Sequence, residues 1–389
     1  MDHPTRRDAA NLLLVSPAVA FGSQANSAVT FGIIGTGGRG RYVGTHMAND
    51  KRARLTAICD LFPDRIDLAK TQVPGADKAR AFKEYKELLA QQDIDAVLIA
   101  TPVFLHPEHF EAAVNARKHI YCEKPAGADV AGVKRLMRAV ARADKSKTMQ
   151  FGFQQRFSPE YLTAERMVKE GKIGQLTLMT SYWVLGNRPP QQFKSPYDPK
   201  DQKLRHWGLW KDYSGGPIVE QDCHGVDTLN WFGKAHPVKA TGTGGLRYKV
   251  PYGDWSSDHH NITYYYPGNL EGWLISIKHT GGFRDVKEQF FGSEGMIETA
   301  RTYYRYHGPI PTSPLKNADD LADRSLIEKV DSKREITIDA VEAFFTSIVQ
   351  KKPIDMSTAA AESTLTALLG RMAHETRREV SWEELLRSA

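Results

Sequence analysis

The sequence predicts an α/β protein in two parts: a doubly wound parallel sheet, then an α+β domain with a large, open-faced, mostly antiparallel sheet. Three observations predict this. An apolar strand, Val29 to Ile34, runs directly into the glycine-rich turn Gly35-Thr36-Gly37-Gly38-Arg39-Gly40. Short apolar strands then alternate with helical segments to about residue 150. Beyond Gln154 the strands lengthen and follow one another across turns such as Pro267-Gly268 and Gly281-Gly282, without helices between them.

Taken in order, the glycine turn has a specific physical reading. Gly35 permits a tight turn, Gly37 lets a pyrophosphate approach the backbone, and Gly40 lets the following helix (Arg41 to Asn49) pack closely on the strand. Free N–H groups at that helix start suit a phosphate. A second strand, Arg54 to Cys59, ends at Asp60, about where a dinucleotide-binding unit needs a carboxylate for the adenosine ribose. Helices are expected over Leu61–Val73 and Glu84–Gln91, a buried strand over Ile94–Ala100, and a helix over Pro107–Arg117. Strand His119–Cys122, helix Ala128–Ala143 and strand Thr148–Phe153 complete a dinucleotide-binding Rossmann domain over residues 29–150. The expected ligand is NAD rather than NADP, because Asp60 repels a 2′-phosphate and no arginine directly follows it.

Residues 151–389 are expected to form a domain for substrate and for oligomerisation. Strands are predicted over Leu176–Leu185, Val238–Tyr248, His260–Tyr266, Gly272–His279, Glu288–Gly292 and Met296–Thr299. Residues 186–214 read as one long loop, and long loops often carry function. Lys316–Lys333 reads as a surface excursion. Helices return over Thr337–Gln350, Ser357–Glu375 and Trp382–Leu386.

A net charge of +6, with acidic and basic residues intermixed, excludes a nucleic-acid footprint from the expectation. The three cysteines, Cys59, Cys122 and Cys223, lack metal-type spacing and suggest no disulfide framework. Residues 1–28 resemble a twin-arginine export signal, with Arg6 and Arg7 followed by a weakly apolar stretch too short for a membrane span. The expected location is therefore periplasmic or exported, the alternative being a cytoplasmic protein with a disordered extension.

Two segments carry the chemistry. Thr101-Pro102 with His106, then Glu123-Lys124-Pro125, lie at carboxyl ends of strands, where ligands of open α/β sheets bind. In the second, Gly215-Gly216-Pro217 starts a helix on which Glu220, His224 and Asp227 share one face while Asp222 points away. A histidine between two carboxylates is expected to have its pKa raised and its ring oriented as a general base. A metal pair or a structural histidine are the other readings, and two ligands are too few for a metal.

Together these motifs resemble the glucose-fructose oxidoreductase / inositol dehydrogenase (Gfo/Idh/MocA) family, in order and spacing, from about Val29 to the C-terminus. The resemblance implies catalysis by Lys124, His224 and Glu220, with Lys124 on the reacting hydroxyl and nicotinamide ribose and His224 taking the hydroxyl proton. Glu220 stands where the family often has Asp, and Val103 where it often has Asn after Thr-Pro. The implied cofactor contacts are the Gly35–Gly40 turn, Asp60, Thr101, Pro102, His106, Glu123, Lys124 and Gln155. The implied substrate contacts are Lys124, Arg156, Asn187, Trp207, Glu220, His224 and Asp227. The implied substrate is a sugar, polyol or glycoside and the implied assembly a homo-oligomer; the export-like N-terminus adds the expectation of a retained, internally recycled cofactor. Redox-assisted glycoside cleavage and a non-catalytic dinucleotide sensor are the alternatives.

Overall fold

A computed structural model of the chain describes residues 28–188, 195–249, 253–310, 312–314 and 316–389. The export-like segment lies outside the described residues up to residue 27, and so do residues 189–194 of the expected loop.

Six parallel strands form the first sheet: β1 (Val29–Ile34), β2 (Ala53–Cys59), β3 (Arg80–Phe82), β4 (Ala96–Ile99), β5 (His119–Cys122) and β6 (Met149–Phe151), in the order β3-β2-β1-β4-β5-β6. Every residue of β1 and β4 is buried, as continuous apolar runs in a two-sided parallel sheet require. The crossovers carry α1 (Gly38–Ala48), α2 (Pro63–Gln72), α3 (Tyr85–Leu89), α4 (His106–Asn115) and α5 (Val130–Val140). Gly35 adopts φ +91°, and a Cβ on Gly40 would lie 1.9 Å from the Gly35 carbonyl oxygen. No other residue fits that approach of helix to strand. Strand β3 carries too little apolar periodicity to be seen in the sequence.

The second sheet follows α6 (Pro159–Lys169). Its strands are β7 (Leu176–Asn187), β8 (Lys239–Gly245), β9 (His259–Tyr265), β10 (Glu271–His279), β11 (Asp285–Gly292), β12 (Met296–Ala300), β13 (Tyr303–His307), β14 (Leu326–Asp331) and β15 (Val380–Ser381). Their order is β14-β13-β12-β11-β7-β10-β9-β8-β15, with only β7 and β10 paired in parallel. One face is covered by α10 (Cys223–Gly233) and by α13 (Ser357–Thr376). Trp273 and Ile277 point outward from β10 and are more than one-third exposed.

One expectation is corrected. Residues 186–214 are not one loop: β7 runs to Asn187, and α7 (Pro199–Arg205) and α8 (Lys211–Ser214) follow. Proline starts α7, and the Asp198 side chain caps it by accepting from the Lys200 N–H. The described residues of 316–333 lie at the surface, and the segment holds α11 (Ala318–Ser325) and the edge strand β14.

Helix α12 (Ile336–Val349) comes late in the chain but packs on the first sheet. Phe345 meets Phe31 edge-on at 6.0 Å, and Phe344 meets Tyr121 at 5.7 Å. The two sheets are thereby held with the carboxyl edge of the first facing the second domain.

Candidate active site

The carboxyl edge of the parallel sheet gathers the cofactor-side residues. A cavity of about 340 Å³ is walled by Gly35, Gly37, Gly38, Asp60, Thr101 and Pro102, among others. A Cβ on Gly37 or Gly38 would meet nothing within 4 Å, so the start of α1 opens onto free space, and no side chain caps its N–H groups. Asp60 is fixed by Thr36, whose N–H and Oγ1 donate to Oδ2 at 2.8 and 3.2 Å, and by the Phe62 N–H, which donates to Oδ1 at 3.0 Å. Bare helix N–H groups, a positioned carboxylate and open space fit a dinucleotide.

Gln155 adds to that fit: it is 1% exposed, and neither its amide nitrogen nor its oxygen has a protein partner. Buried amides are nearly always satisfied, so a bound ligand is the natural partner. Arg39 turns aside to Glu123, its Nε 2.9 Å from Oε1.

His106 is corrected from a cofactor contact to a structural residue. Its ring is 1% exposed and lies between the carbonyls of Pro125 (2.7 Å) and Thr101 (2.9 Å), tying the two strand-end turns together. Sequence reasoning missed His109, one helical turn on. It lines the cavity, lies against Tyr85 with the rings tilted and 4.2 Å between centroids, and bonds Thr101 Oγ1 at 3.0 Å, and burial pushes it down to about 4. The Thr-x7-His spacing is too common to have signalled this contact.

Lys124 and Glu220 meet. Lys124 Nζ lies 3.2 Å from Glu220 Oε1 and also donates to the Glu220 backbone carbonyl. Burial alone would depress the ammonium, but Glu220, Cys223 and Glu123 together hold it above the usual lysine value. It is therefore a permanent cation at neutral pH.

His224 departs from expectation. The segment after Pro217 is two helices, α9 (Pro217–Glu220) and α10, broken at Gln221–Asp222, so the single helical face is not formed. Glu220 goes to Lys124. Asp227 goes to Arg156, bidentately at 2.8 and 2.9 Å, and accepts from Ser363 Oγ at 2.7 Å. The imidazole instead stacks on Trp183, with 5.5 Å between centroids and 13° between planes, and meets Phe153 edge-on. Its Nδ1 is buried without a partner. Burial, with Lys124, Arg301 and Arg39 nearby, drives its pKa well below the ordinary value. The expectation of a raised pKa is overturned: burial lowers it, and the charges acting on the ring are those of cations rather than carboxylates.

Three expected substrate residues are placed elsewhere. Arg156 is engaged by Asp227 and lies over the Trp231 ring at 5.4 Å. Asn187 is exposed at the end of β7. Trp207 lines the cavity beside Asp60 and Phe62, on the adenosine side of the fingerprint. Near it, Arg205 spans the two domains: its guanidinium bonds Asp64 at 2.7 and 2.9 Å and lies 3.7 Å above the Phe62 ring. Arg65 donates to the Tyr197 hydroxyl at 3.1 Å, completing a clasp across that end. Asp222, expected to point away, is buried with His260, Ser276 and Lys278.

Comparisons place these features among known proteins. Residues 29–151 match the GFO/IDH/MocA model described as an oxidoreductase family, NAD-binding Rossmann fold, and residues 161–298 match the GFO/IDH/MocA C-terminal domain. The chain is similar to inositol 2-dehydrogenase of Rhizobium meliloti, 27% identical over 60% of this chain and 64% of that protein. It is also similar to the oxidoreductase YrbE of Bacillus subtilis, 30% identical over 52% and 53% of the two chains. The matches thus span about half to two-thirds of these curated relatives. Among solved structures, scyllo-inositol dehydrogenase of Lactobacillus casei with NAD(H) and scyllo-inositol superimposes with TM-score 0.71 at 23% identity, covering 92% of this chain and 99% of that one. Levoglucosan dehydrogenase with NADH gives 0.76 at 18% identity, covering 91% and 99%. At such identities these two likenesses show the fold.

Proposed function

We propose that this chain, which belongs to the GFO/IDH/MocA oxidoreductase family through both of its domains, is an NAD-dependent dehydrogenase acting on a secondary hydroxyl of a sugar, polyol or glycoside. The observation that carries the reading is the part-buried pairing of a permanent lysine cation, Lys124, with Glu220 beside a neutral histidine, His224. The inositol and levoglucosan dehydrogenases among the similar proteins support the substrate class.

The dinucleotide, when bound, supplies the hydride acceptor. The residues do the rest. The Lys124 ammonium donates a hydrogen bond to the substrate oxygen and stabilises the negative charge that grows on it. His224 enters each cycle uncharged and accepts the hydroxyl proton. Trp183 and Phe153 fix the plane of the ring and keep water off it. Glu220 keeps Lys124 charged and aimed. Asp60, held by Thr36 and Phe62, takes the adenosine ribose hydroxyls and disfavours a 2′-phosphate.

The cofactor is retained between turnovers. The Arg205–Asp64 clasp supports this, because it closes the adenosine end of the cleft across two domains. The export-like N-terminus supports it independently, since little free NAD exists outside the cytoplasm. Paired oxidation and reduction of two sugars is then the working cycle, and glycoside cleavage through transient ring oxidation would use the same residues. The outward Trp273 and Ile277 of β10 support a homo-oligomer formed through the second sheet.

Mass spectrometry and near-ultraviolet absorbance of the purified protein test this. Bound NAD that is reduced by one sugar and re-oxidised by a second supports the reading. A protein that binds no dinucleotide, or whose bound NAD no sugar or polyol reduces, refutes it.

A further inference from the structure

Asp222 has no part in the chemistry above, yet it is 0% exposed and surrounded by polar side chains. Lys278 Nζ lies 2.5 Å from its Oδ1 and Ser276 Oγ lies 3.1 Å from it, while His260 Nε2 lies 2.5 Å from Oδ2. His260 and Ser276 face each other across β9 and β10, and Lys278 lies two residues on, so all three rise from one face of the sheet. Burial would lift the Asp222 carboxyl, but Lys278 and His260 hold it below its ordinary value, and it stays ionised.

Its place in the chain matters as much as its partners. Asp222 is the N-cap residue of α10, where an aspartate ordinarily accepts from the first free N–H groups. Its side chain makes no such bond. It is turned to the sheet instead. The last bonds of α9 run from the Gln221 and Asp222 N–H groups to the Pro217 carbonyl, and α10 opens with the Val226 N–H donating to the Asp222 carbonyl at 3.1 Å. Glu220 lies in the gap between the two ladders. Its carbonyl accepts from Lys124 Nζ, and its carboxylate faces the same atom.

We propose that Asp222 is a positioning residue: anchored by Lys278, His260 and Ser276, it holds the chain broken between α9 and α10 and so turns both oxygens of Glu220 toward Lys124. The inference rests on the reading of Lys124 as the group that binds the reacting hydroxyl. A continuous helix would draw the Glu220 carbonyl into its own ladder and rotate the carboxylate away.

The test is the double variant Asp222→Asn/Lys278→Met, which deletes both buried charges together and leaves neither uncompensated. Lys124 is faced by Glu220, Cys223, Glu123 and His224, none of which is altered. Direct effects on Lys124 nearly cancel, because one positive and one negative charge leave together. The expected result is a cooperative unfolding transition and near-normal NADH binding, with kcat reduced about tenfold, as small misplacements of catalytic groups produce. The basic limb of the pH–rate profile moves to lower pH. Unchanged kcat and an unchanged basic limb overturn the proposal.

Should the double variant not fold, His260→Leu removes one anchor and keeps the ion pair. A reduced kcat that His260→Gln restores supports the positioning role, and wild-type kcat in both variants overturns it. Lys124→Ala separates the two levels. Full turnover in that variant defeats the catalytic reading, whereas loss there beside a normal double variant defeats only the role of Asp222.

Discussion

The imidazole of His224 lies flat against the indole of Trp183, 5.5 Å between centroids and 13° between planes, and among the described residues its buried Nδ1 has no partner. The ring is therefore kept neutral by burial and by neighbouring cations. Its folded pKa lies well below the ordinary 6.5, so the acid limb of kcat/KM falls below pH 6.5. The linkage has the same sign. As pH falls below about 6.5 the unfolded chain takes up this proton before the folded one, so His224 contributes a loss of stability in acid. A pH–rate profile with its acid limb above pH 6.5 would mean that a carboxylate reaches the ring after all.

Glu220→Gln keeps the shape and deletes the charge facing Lys124. Burial then dominates, the lysine pKa drops, and the basic limb moves to lower pH while the acid limb stays in place. Initial rates across the pH range check this. Movement of the acid limb alone would return Glu220 to His224.

Arg205→Ala opens the clasp at the adenosine end. NADH release, followed by stopped-flow displacement, is expected to quicken up to about fivefold, since an exposed ion pair is worth at most about 1 kcal/mol. The KM for sugar is unaffected, because Arg205 lies on the cofactor side. Asp64→Ala gives the same rate, and the double variant adds little to either. An unchanged release rate would detach the clasp from cofactor retention.

Asp227→Ala leaves the Arg156 guanidinium, whose side chain is 19% exposed, without its carboxylate. Breaking a buried pair in this way costs about 3–5 kcal/mol. Denaturant unfolding is expected to show that loss. A stability within 1 kcal/mol of wild type, about the cost of a surface substitution, would argue against a structural pair.

Much of this was legible in the sequence because it depends on local chemistry. The Gly35–Gly40 fingerprint, Asp60 and Lys124 are set by strand-end turns, and each sits where spacing placed it. What was not legible depends on partners distant in sequence. Helical spacing put Glu220, His224 and Asp227 on one face, but Lys124 lies 96 residues from Glu220, and Arg156 lies 71 from Asp227. Those cations, not the histidine, took the carboxylates. Asp222 was read outward because the break at Gln221 has no sequence signal: neither glycine nor proline stands there. His260 and Lys278, which fix it, belong to strands that meet it only in the folded chain.

The proposed dehydrogenase requires Lys124 and His224 to carry a proton transfer coupled to hydride transfer, rather than merely to line a dinucleotide-binding fold. Single-turnover formation of reduced nicotinamide in NAD-loaded protein, on mixing with sugars and polyols, reads that step alone. Prompt reduction is expected in the wild type with at least one of them. In Lys124→Ala and in His224→Ala reduction is expected to slow about a hundredfold or more, as the loss of an acid–base group commonly produces, with NAD binding near normal in His224→Ala. Reduction at the wild-type rate in either variant would contradict it.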